Sequence, residues 1–352
     1  MESAAQIPAA SAGRRMWLRV GTVIDGSGAP PLRDAHIVYD NAGILYVSAD
    51  LPPAELVKNG RTSIAPDAEL PEYTLLPGLI DAHTHMFLEG GELDLEKRTA
   101  FLKQSPEDLL ALAMARLEKI VRLGVTAMRD CGDKDGVGLA LSRLCASHDR
   151  PLMPYIDSPG AAIHRKGRYG SFMAEPLEDF PTAAECVAAR VQAGADRIKL
   201  IPTGIINFKV GAVTAPPQMT TEEVRELVAA AKSHNRQTIA HGSGADGLER
   251  AIEGGVDSIE HGFFLRDDQL SKMGDRQIAW VPTFAPVQKQ VDHADRLGWD
   301  AQVVANLQKI LDRHADTLVK AHGMGVETVA GSDAGSCGVA HGLGFLEELE
   351  FM

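Results

Sequence analysis

The chain has 352 residues, enough for one large domain plus a small accessory domain. Its formal net charge of -13, from 35 basic and 48 acidic residues, argues against nucleic acid and anionic membranes as partners. Four scattered cysteines argue against a disulfide scaffold, and no apolar run is long enough for a membrane span. We therefore expect a cytoplasmic protein.

The N-terminal part predicts a leader followed by a small β-layer. Residues 1–15 are rich in Ala and Ser and lack an apolar core, which indicates a disordered leader rather than a secretory signal. Over residues 16–76, short alternating runs are separated by turn residues such as those at 25–30. This β-layer is incomplete by itself.

From residue 77 onward, strand-like apolar runs alternate with amphipathic helices. The clearest helical patterns cover Glu107–Leu123, Glu222–His234 and Val303–His322, and Thr220 with Glu223 predicts a capping box before the second. The predicted strands are Leu79–His85, Val125–Asp130, Leu152–Ile156, Asp196–Ile201, Gln237–His241, Ser258–His261, Ala279–Thr283 and Glu327–Asp333. This alternation predicts an α/β protein with a (β/α)8, or TIM, barrel over residues 77–352. Because the chain ends within the last helix, we expect a barrel that is truncated at its C-terminus.

Several of these strands end in a residue that can bind a metal ion. His83 and His85 stand two residues apart on one strand, so their imidazoles point the same way and can share a cation. His241 and His261 end later strands, and Asp333 ends the last one, where a carboxylate can ligate a metal and accept a proton. Singly, each is explained as a buried histidine or a turn aspartate. Their shared position at strand ends, where barrel sites form, favours a metal centre.

Lys199 lies within an apolar strand, where a charged amine is costly without a partner. Carbamylation by CO2 would convert it to an anion whose two oxygens bridge two metals. Taken alone, the residue is better explained by a nearby carboxylate or by a side chain that reaches the barrel mouth. The other ligands favour the bridging role.

Along the chain the six residues occur as two His, one Lys, two more His and one Asp. In that order they resemble the ligand set of the metal-dependent amidohydrolase superfamily, in its binuclear subtype with a carboxylated lysine. Val256–Gly262 and Gly331–Gly335 are most similar to its prolidase-like (Xaa-Pro dipeptidase) and imidazolonepropionase-related branch. The resemblance implies a β-sandwich portion over residues 16–76 and two divalent metal ions, with zinc as the first candidate. The implied ligands are His83, His85 and Asp333 at the more buried metal, His241 and His261 at the more exposed one, and carbamylated Lys199 between them.

The resemblance also implies a hydrolase that cleaves an amide bond in a peptide or N-acyl amino acid, dipeptides included. The attacking group would be a metal-bridged hydroxide, with Asp333 as the proton shuttle. Two alternatives stay open: a one-metal cyclic-amide hydrolase or deaminase of the same superfamily, and a catalytically silent homologue. The intact ligand set argues against the silent homologue, whereas the short C-terminus argues for it.

The loop at residues 162–170 is unusually cationic for an acidic protein, so we expect it to bind a substrate carboxylate. The candidate substrate-binding residues are His164, Arg165, Arg168 and Tyr169 in this loop, and His341 after the last strand. His164 is also a candidate donor to the scissile carbonyl, and a solvated loop is the alternative. The expected partner is a small molecule with a free carboxylate, and a homo-oligomer is left open.

Overall fold

The computed structural model describes residues 13–58, 65–147 and 153–352. Most of the predicted leader and Leu152 of the predicted third barrel strand lie outside these ranges. The chain divides into two compact units, Met1–Gly78 and Leu79–Met352. Within the described ranges, no helix is both long enough and apolar enough to cross a membrane.

The first unit contains a four-stranded sheet. Its elements are β1 (Met16–Val23), β2 (Leu32–Tyr39), β3 (Ile44–Ser48), α1 (Ala54–Val57) and β4 (Ala68–Leu75). The strand order is β3-β2-β1-β4, and β1 pairs antiparallel with β2 but parallel with β4. Leu18, Val20 and Ile37 are buried in its core. The sequence analysis did not assign β4, because Pro71 and its acidic neighbours interrupt the apolar alternation.

Short strands form the centre of the second unit, and most of them are parallel. They are β5 (Leu79–Thr84), β6 (Val125–Asp130), β7 (Tyr155–Asp157), β8 (Ile198–Leu200), β9 (Ile206–Asn207), β10 (Ala212–Val213), β11 (Thr238–Ser243), β12 (Ser258–Phe263) and β13 (Ala279–Val281). One sheet has the order β5-β6-β7 and another has the order β13-β12-β11-β8, while β9 and β10 form a separate antiparallel hairpin. Because neighbouring strands within each sheet are parallel, their carboxyl ends lie at one edge.

Helices follow most of these strands, giving a TIM-barrel-like α/β arrangement. They are α2 (Leu95–Phe101), α3 (Pro106–Arg122), α4 (Val137–Ala146), α5 (Ala183–Ala193), α6 (Thr221–Ser233), α7 (Ala245–Gly254), α8 (Asp267–Arg276), α9 (Ala285–Asp292), α10 (Ala294–Leu297), α11 (Ala301–Gly323) and α12 (Leu343–Phe351). The three predicted helices correspond to α3, α6 and α11. The predicted capping box is confirmed, since Thr220 and Glu223 exchange side-chain-to-backbone hydrogen bonds at the start of α6.

The apolar faces of the helices pack against the strands in two large clusters. One cluster surrounds the sheet of β8, β11, β12 and β13, and it includes Leu227 of α6, Ile252 of α7 and Leu270 of α8. Leu117 of α3 and Leu141 of α4 belong to the cluster around β5, β6 and β7. This packing holds the strands rigidly, so the residues at their carboxyl ends have fixed positions.

The eighth predicted strand, Glu327–Asp333, is not a continuous strand, and this prediction was wrong. Single bridges join Thr328 to β13 and Ala334 to β5. Between them, the Asp81 carboxylate accepts hydrogen bonds from the Ser332 backbone nitrogen at 2.9 Å and from its hydroxyl at 2.6 Å. A side chain therefore replaces a backbone acceptor, which interrupts the ladder.

Candidate metal centre

Four imidazoles from three strands form one continuous cluster. The ring centroids of His85 and His83 on the β5 segment are 5.4 Å apart, and His83 is 4.9 Å from His261 of β12. His261 is in turn 4.6 Å from His241 of β11. All four side chains are buried. The structure therefore brings together the four histidines that the sequence analysis selected.

Asp333 joins this cluster through one carboxylate oxygen. Its Oδ1 lies 3.6 Å from Nε2 of His83 and 3.6 Å from Nε2 of His85. Its Oδ2 accepts a hydrogen bond of 2.8 Å from the Ser336 hydroxyl. These three residues form a group whose ligand atoms lie within 4.8 Å of one another, the spacing that a shared metal ion requires.

Lys199 of β8 places an amine among these groups. Its side chain is among the largest fully enclosed ones, and its Nζ has no hydrogen-bond partner in the part of the chain that is described. Nε2 of His83 and Oδ1 of Asp333 are buried without a partner as well. Burying a polar atom without a partner is costly, so three such atoms in one cluster indicate that something binds there.

One ring nitrogen of each histidine is already bound by the protein. Nδ1 of His83, His85 and His261 lies 2.6, 2.8 and 2.8 Å from a Glu260 carboxylate oxygen, the Gly132 carbonyl and the Thr283 hydroxyl, respectively. For His241 the roles are reversed, because its Nε2 lies 3.2 Å from the Gly204 carbonyl. Such contacts orient an imidazole and leave its second nitrogen for a metal.

Glu260 is a functional residue that the sequence analysis missed. Its Oε2 contacts His83, and its Oε1 accepts hydrogen bonds from Arg129 at 2.8 Å and from Ser258 at 2.7 Å. Strand alternation would place Glu260 and His261 on opposite faces of β12. His261 has a φ of 68°, which breaks the alternation, so both side chains reach the cluster.

Backbone conformations that L-residues rarely adopt recur around this site. His261, Thr283 and Asp333 have φ angles of 68°, 55° and 53°. Such conformations cost free energy, and they persist where the surrounding structure enforces them, often at functional sites. At Gly331, a Cβ would lie 2.8 Å from the backbone nitrogen of His83, so only glycine permits this close approach.

The surroundings favour neutral imidazoles. Burial is the main cause that lowers the pKa of His85 to about 4 and the pKa of His241 to about 3, and the charge of Lys199 is the second. Burial also holds the pKa of His83 and the pKa of His261 well below the ordinary value. Neutral imidazole is the form that binds metal ions, so these residues are ready ligands at neutral pH.

Asp333 shows the opposite effect. Burial raises its pKa to about 7, although the hydrogen bond from Ser336 and the charge of Lys199 lower it. A buried carboxylate with a raised pKa lacks sufficient positive charge around it. A bound cation would supply that charge.

A cavity of about 180 Å³ opens onto the cluster. Its lining includes five of the six predicted ligands, and His83 lies behind them, fully buried. The other lining residues are Leu88, Arg98, Tyr169, Phe172, Met173, Ile201, Ser336 and Cys337. Tyr169 is thus the one predicted substrate-binding residue in this lining, and its ring centroid is 5.0 Å from that of His241.

The structure places the other predicted substrate-binding residues elsewhere. Arg165 is paired with Glu178 at 2.8 Å and Glu223 at 2.7 Å, so its charge is already compensated. Arg168 donates to the Pro216 carbonyl at 2.6 Å and lines a neighbouring open pocket. Sequence alone gave the loop's charge but not the acidic partners that fold against it.

The two histidines among the predicted substrate-binding residues, His164 and His341, contact backbone carbonyls. Both ring nitrogens of His164 contact carbonyls, those of Arg165 at 3.0 Å and Ala174 at 2.9 Å, and the side chain is buried outside the cavity lining. Nε2 of His341 lies 3.2 Å from the His85 carbonyl, and its Nδ1 accepts from Arg116 at 3.1 Å. His341 therefore supports the backbone of a site residue.

The chain is similar in sequence to known proteins. An uncharacterized protein of Mycobacterium tuberculosis is 29% identical over 270 residues, covering 76% of this chain and 66% of that protein. Ochratoxinase of Aspergillus niger is 25% identical over 342 residues, covering 89% of this chain and 68% of the enzyme. The chain thus spans 66% of the length of the mycobacterial relative it matches.

Among solved structures, a Xaa-Pro dipeptidase with methionine bound in its active site is similar, with a TM-score of 0.76 and 26% identity. The similarity covers 96% of this chain and 84% of the dipeptidase. Residues 74–352 match the amidohydrolase family. The chain therefore belongs to the amidohydrolase family.

Proposed function

We propose that this protein is a metal-dependent hydrolase that cleaves an amide bond in a peptide or N-acyl amino acid. The observation that supports this most directly is the set of three buried atoms without a partner: Nε2 of His83, Nζ of Lys199 and Oδ1 of Asp333. They lie where parallel strands end, which is where the active sites of TIM barrels form. A site built of imidazoles and a carboxylate is suited to a divalent metal.

The closed (β/α)8 barrel is part of the same proposal. Its support is a series of isolated parallel bridges at the outer strands of the two parallel sheets. Ile163 pairs with Leu200 of β8, Trp280 of β13 pairs with Thr328, and Ala334 pairs with Thr84 of β5. Closure through these bridges would place all the strand ends around one opening.

Two divalent metals, with zinc the first candidate, would be held by the four imidazoles, Asp333 and a carbamylated Lys199. His83, His85 and Asp333 would hold the more buried one, while His241 and His261 would hold the more exposed one. When bound, such ions acidify a water and polarise a carbonyl. Burial keeps the imidazoles neutral, and contacts such as that between Glu260 and His83 orient them.

Lys199 would serve as a carbamate. The Lys199 ammonium would first lose one proton to solvent, and the resulting neutral amine would attack the carbon of CO2. The attack forms an N–C bond and releases a second proton, which leaves one negative charge shared by two oxygens. This exchange replaces a buried cation by an anion among groups that bind metals. It would also remove the buried ammonium, whose Nζ has no hydrogen-bond partner among the described residues.

Asp333 would move the proton. Its Oδ2 is held by Ser336 and its Oδ1 faces His83 and His85, so the carboxylate is fixed in direction. It would take a proton from the attacking water and deliver it to the leaving nitrogen. An amine leaves poorly unless it is protonated, so this second transfer is essential.

The relatives support the substrate class. One similar structure is a Xaa-Pro dipeptidase, which supports a dipeptide with a free carboxylate. Another relative is an ochratoxinase, so different amide substrates occur among the proteins this chain resembles. The wall of Leu88, Phe172 and Ile201 suits an apolar side chain.

A one-metal enzyme of the same family is the second candidate. The group of His83, His85 and Asp333 offers three ligand atoms within 4.8 Å and is complete without Lys199. A cyclic-amide hydrolase or deaminase with one metal would use this group alone.

Metal analysis combined with a substrate screen tests the proposal. We expect zinc-loaded protein to hold two equivalents of metal and to hydrolyse members of a panel of dipeptides and N-acyl amino acids in bicarbonate buffer. His241→Asn should lose metal, whereas His234→Asn, at the exposed end of α6, should not. One equivalent would favour the second candidate, and protein that takes up none would refute both.

Substitution of Lys199 should affect the activity and the more exposed metal. Lys199→Ala should lose activity and the more exposed metal, because the carbamate that would help to hold that metal is missing. Added acetate or propionate should restore part of the activity and part of the metal content, since a small carboxylate can occupy the position of the missing carbamate. Lys199→Arg, measured by metal content and initial rate, should stay inactive because a guanidinium cannot form the carbamate. An active arginine variant would contradict the bridging role.

Asp333→Asn should lower kcat by about 10²-fold or more for amides, because it keeps the side-chain shape but cannot carry a proton. Activated esters should be affected less, since their leaving groups need no proton. Steady-state rates on a matched amide and ester, with metal content measured alongside, check this. Near-wild-type amide hydrolysis with both metals bound would place the base elsewhere.

Glu260→Gln should weaken zinc affinity by about 10- to 100-fold, because the carboxylate that orients His83 is lost. Competition with a chelating dye measures the change. Glu249→Gln is the matched control, since Glu249 forms surface ion pairs with Lys272 and Arg266. Equal affinities for the Glu260 variant and the wild type would show that this contact does not position the ligand.

A further inference from the structure

One guanidinium lines the cavity beside the proposed metal site, and it belongs to Arg98 of α2. Apart from it, the cationic group in the described lining is the deeply buried Lys199. Arg98 is half-buried, so part of its side chain remains accessible at the cavity. The sequence analysis did not select it, because α2 itself was not anticipated.

Arg98 is held by backbone carbonyls rather than by carboxylates. Its Nη1 donates to the carbonyls of Glu89 at 2.5 Å and Glu92 at 3.3 Å, and its Nη2 donates to the Gly335 carbonyl at 2.8 Å. A guanidinium has five N–H groups, so three carbonyls leave two of them for another acceptor. No carboxylate of the described chain forms an ion pair with Arg98 within 4.0 Å, in contrast to Arg165 with its two acidic partners.

Glu89 and Glu92, whose carbonyls Arg98 binds, have carboxylates that are occupied by their own loop. The Glu89 carboxylate accepts from the backbone nitrogens of Gly91 at 3.2 Å and Glu92 at 2.6 Å. The Glu92 carboxylate accepts from the backbone nitrogens of Leu93 and Asp94, at 3.0 Å each. These bonds fold the loop so that its carbonyls, and not its carboxylates, meet the guanidinium. The positive charge of Arg98 is therefore positioned without being neutralised.

The position of Arg98 connects it to the proposed catalytic group. Gly335, whose carbonyl it binds, lies two residues after Asp333, and both Arg98 and Asp333 line the same small cavity. A small molecule bound there would place one group at the guanidinium and another beside Asp333. Arginine binds carboxylates with two parallel hydrogen bonds, which fixes orientation as well as charge.

We propose that Arg98, rather than Arg165 or Arg168, binds the free carboxylate of the substrate. This inference rests on the proposed function and narrows its substrate class to N-acyl amino acids and dipeptides whose carboxylate lies next to the scissile amide. The leaving amino acid carries an apolar side chain against Leu88 or Phe172.

Equilibrium binding of a product and its uncharged analogue tests this role. Titration calorimetry on zinc-loaded protein would compare L-leucine with L-leucinol, which keeps the amine and the side chain but lacks the carboxylate. Wild type should prefer L-leucine by roughly ten- to a hundredfold, the range of a hydrogen bond to a charged group. Arg98→Gln should abolish this preference, and Arg98→Lys should retain part of it. Arg122→Gln, an exposed residue of α3 paired with Glu118, should leave it unchanged.

The preference ratio separates recognition from support of the loop. A variant that only loosens the 89–92 loop would weaken both ligands equally, so the ratio would survive, and that result would overturn the proposal. The same holds if wild type shows no preference, or if Arg165→Gln removes it and Arg98→Gln does not. An Arg98-dependent preference in protein that hydrolyses no amide would support carboxylate binding and refute the proposed function alone.

Discussion

The candidate site depends on the close docking of residues 330–334 onto β5. Ala82 and His85 donate backbone hydrogen bonds to the carbonyls of Ala330 and Ala334, and Asp333 donates to the His83 carbonyl. Asp81 adds two more bonds through Ser332, across 251 positions of sequence. Gly331 allows this approach because any side chain there would collide with the β5 backbone. The two histidines and the aspartate meet only because the segments lie this close.

Burial of charge at the strand ends gives this arrangement its chemistry. Four imidazoles are kept neutral by burial, while one amine and one carboxylate oxygen lie among them without a partner. Such groups would be better satisfied in water, so the apolar clusters around the strands must hold them in place. A bound cation would provide partners for the Asp333 oxygen and for Nε2 of His83. The surrounding contacts of Glu260, Thr283 and Gly132 already orient the rings for it.

The loops show a different relation between sequence and structure. The positive charge of the loop at residues 162–170 predicted that it binds a carboxylate. In the fold, acidic side chains pair with Arg165 and a backbone carbonyl accepts from Arg168. Arg98 lies in α2, a helix that the sequence analysis did not predict. It lines the cavity and is bound by backbone carbonyls rather than by a carboxylate. Local composition reports how many charges a loop carries, whereas their availability depends on what packs against them.

The sequence by itself determined the alternation of strands and helices, the capping box at Thr220 and the histidines and aspartate at the ends of the predicted strands. These follow from short-range periodicity, which is written into neighbouring residues. The tertiary structure alone decided the rest. Glu260 and His261 both reach the cluster because His261 adopts a left-handed backbone, and the last strand is broken because the Asp81 side chain replaces a backbone acceptor. Both depend on contacts between distant segments, and no local pattern encodes the distance between two such segments.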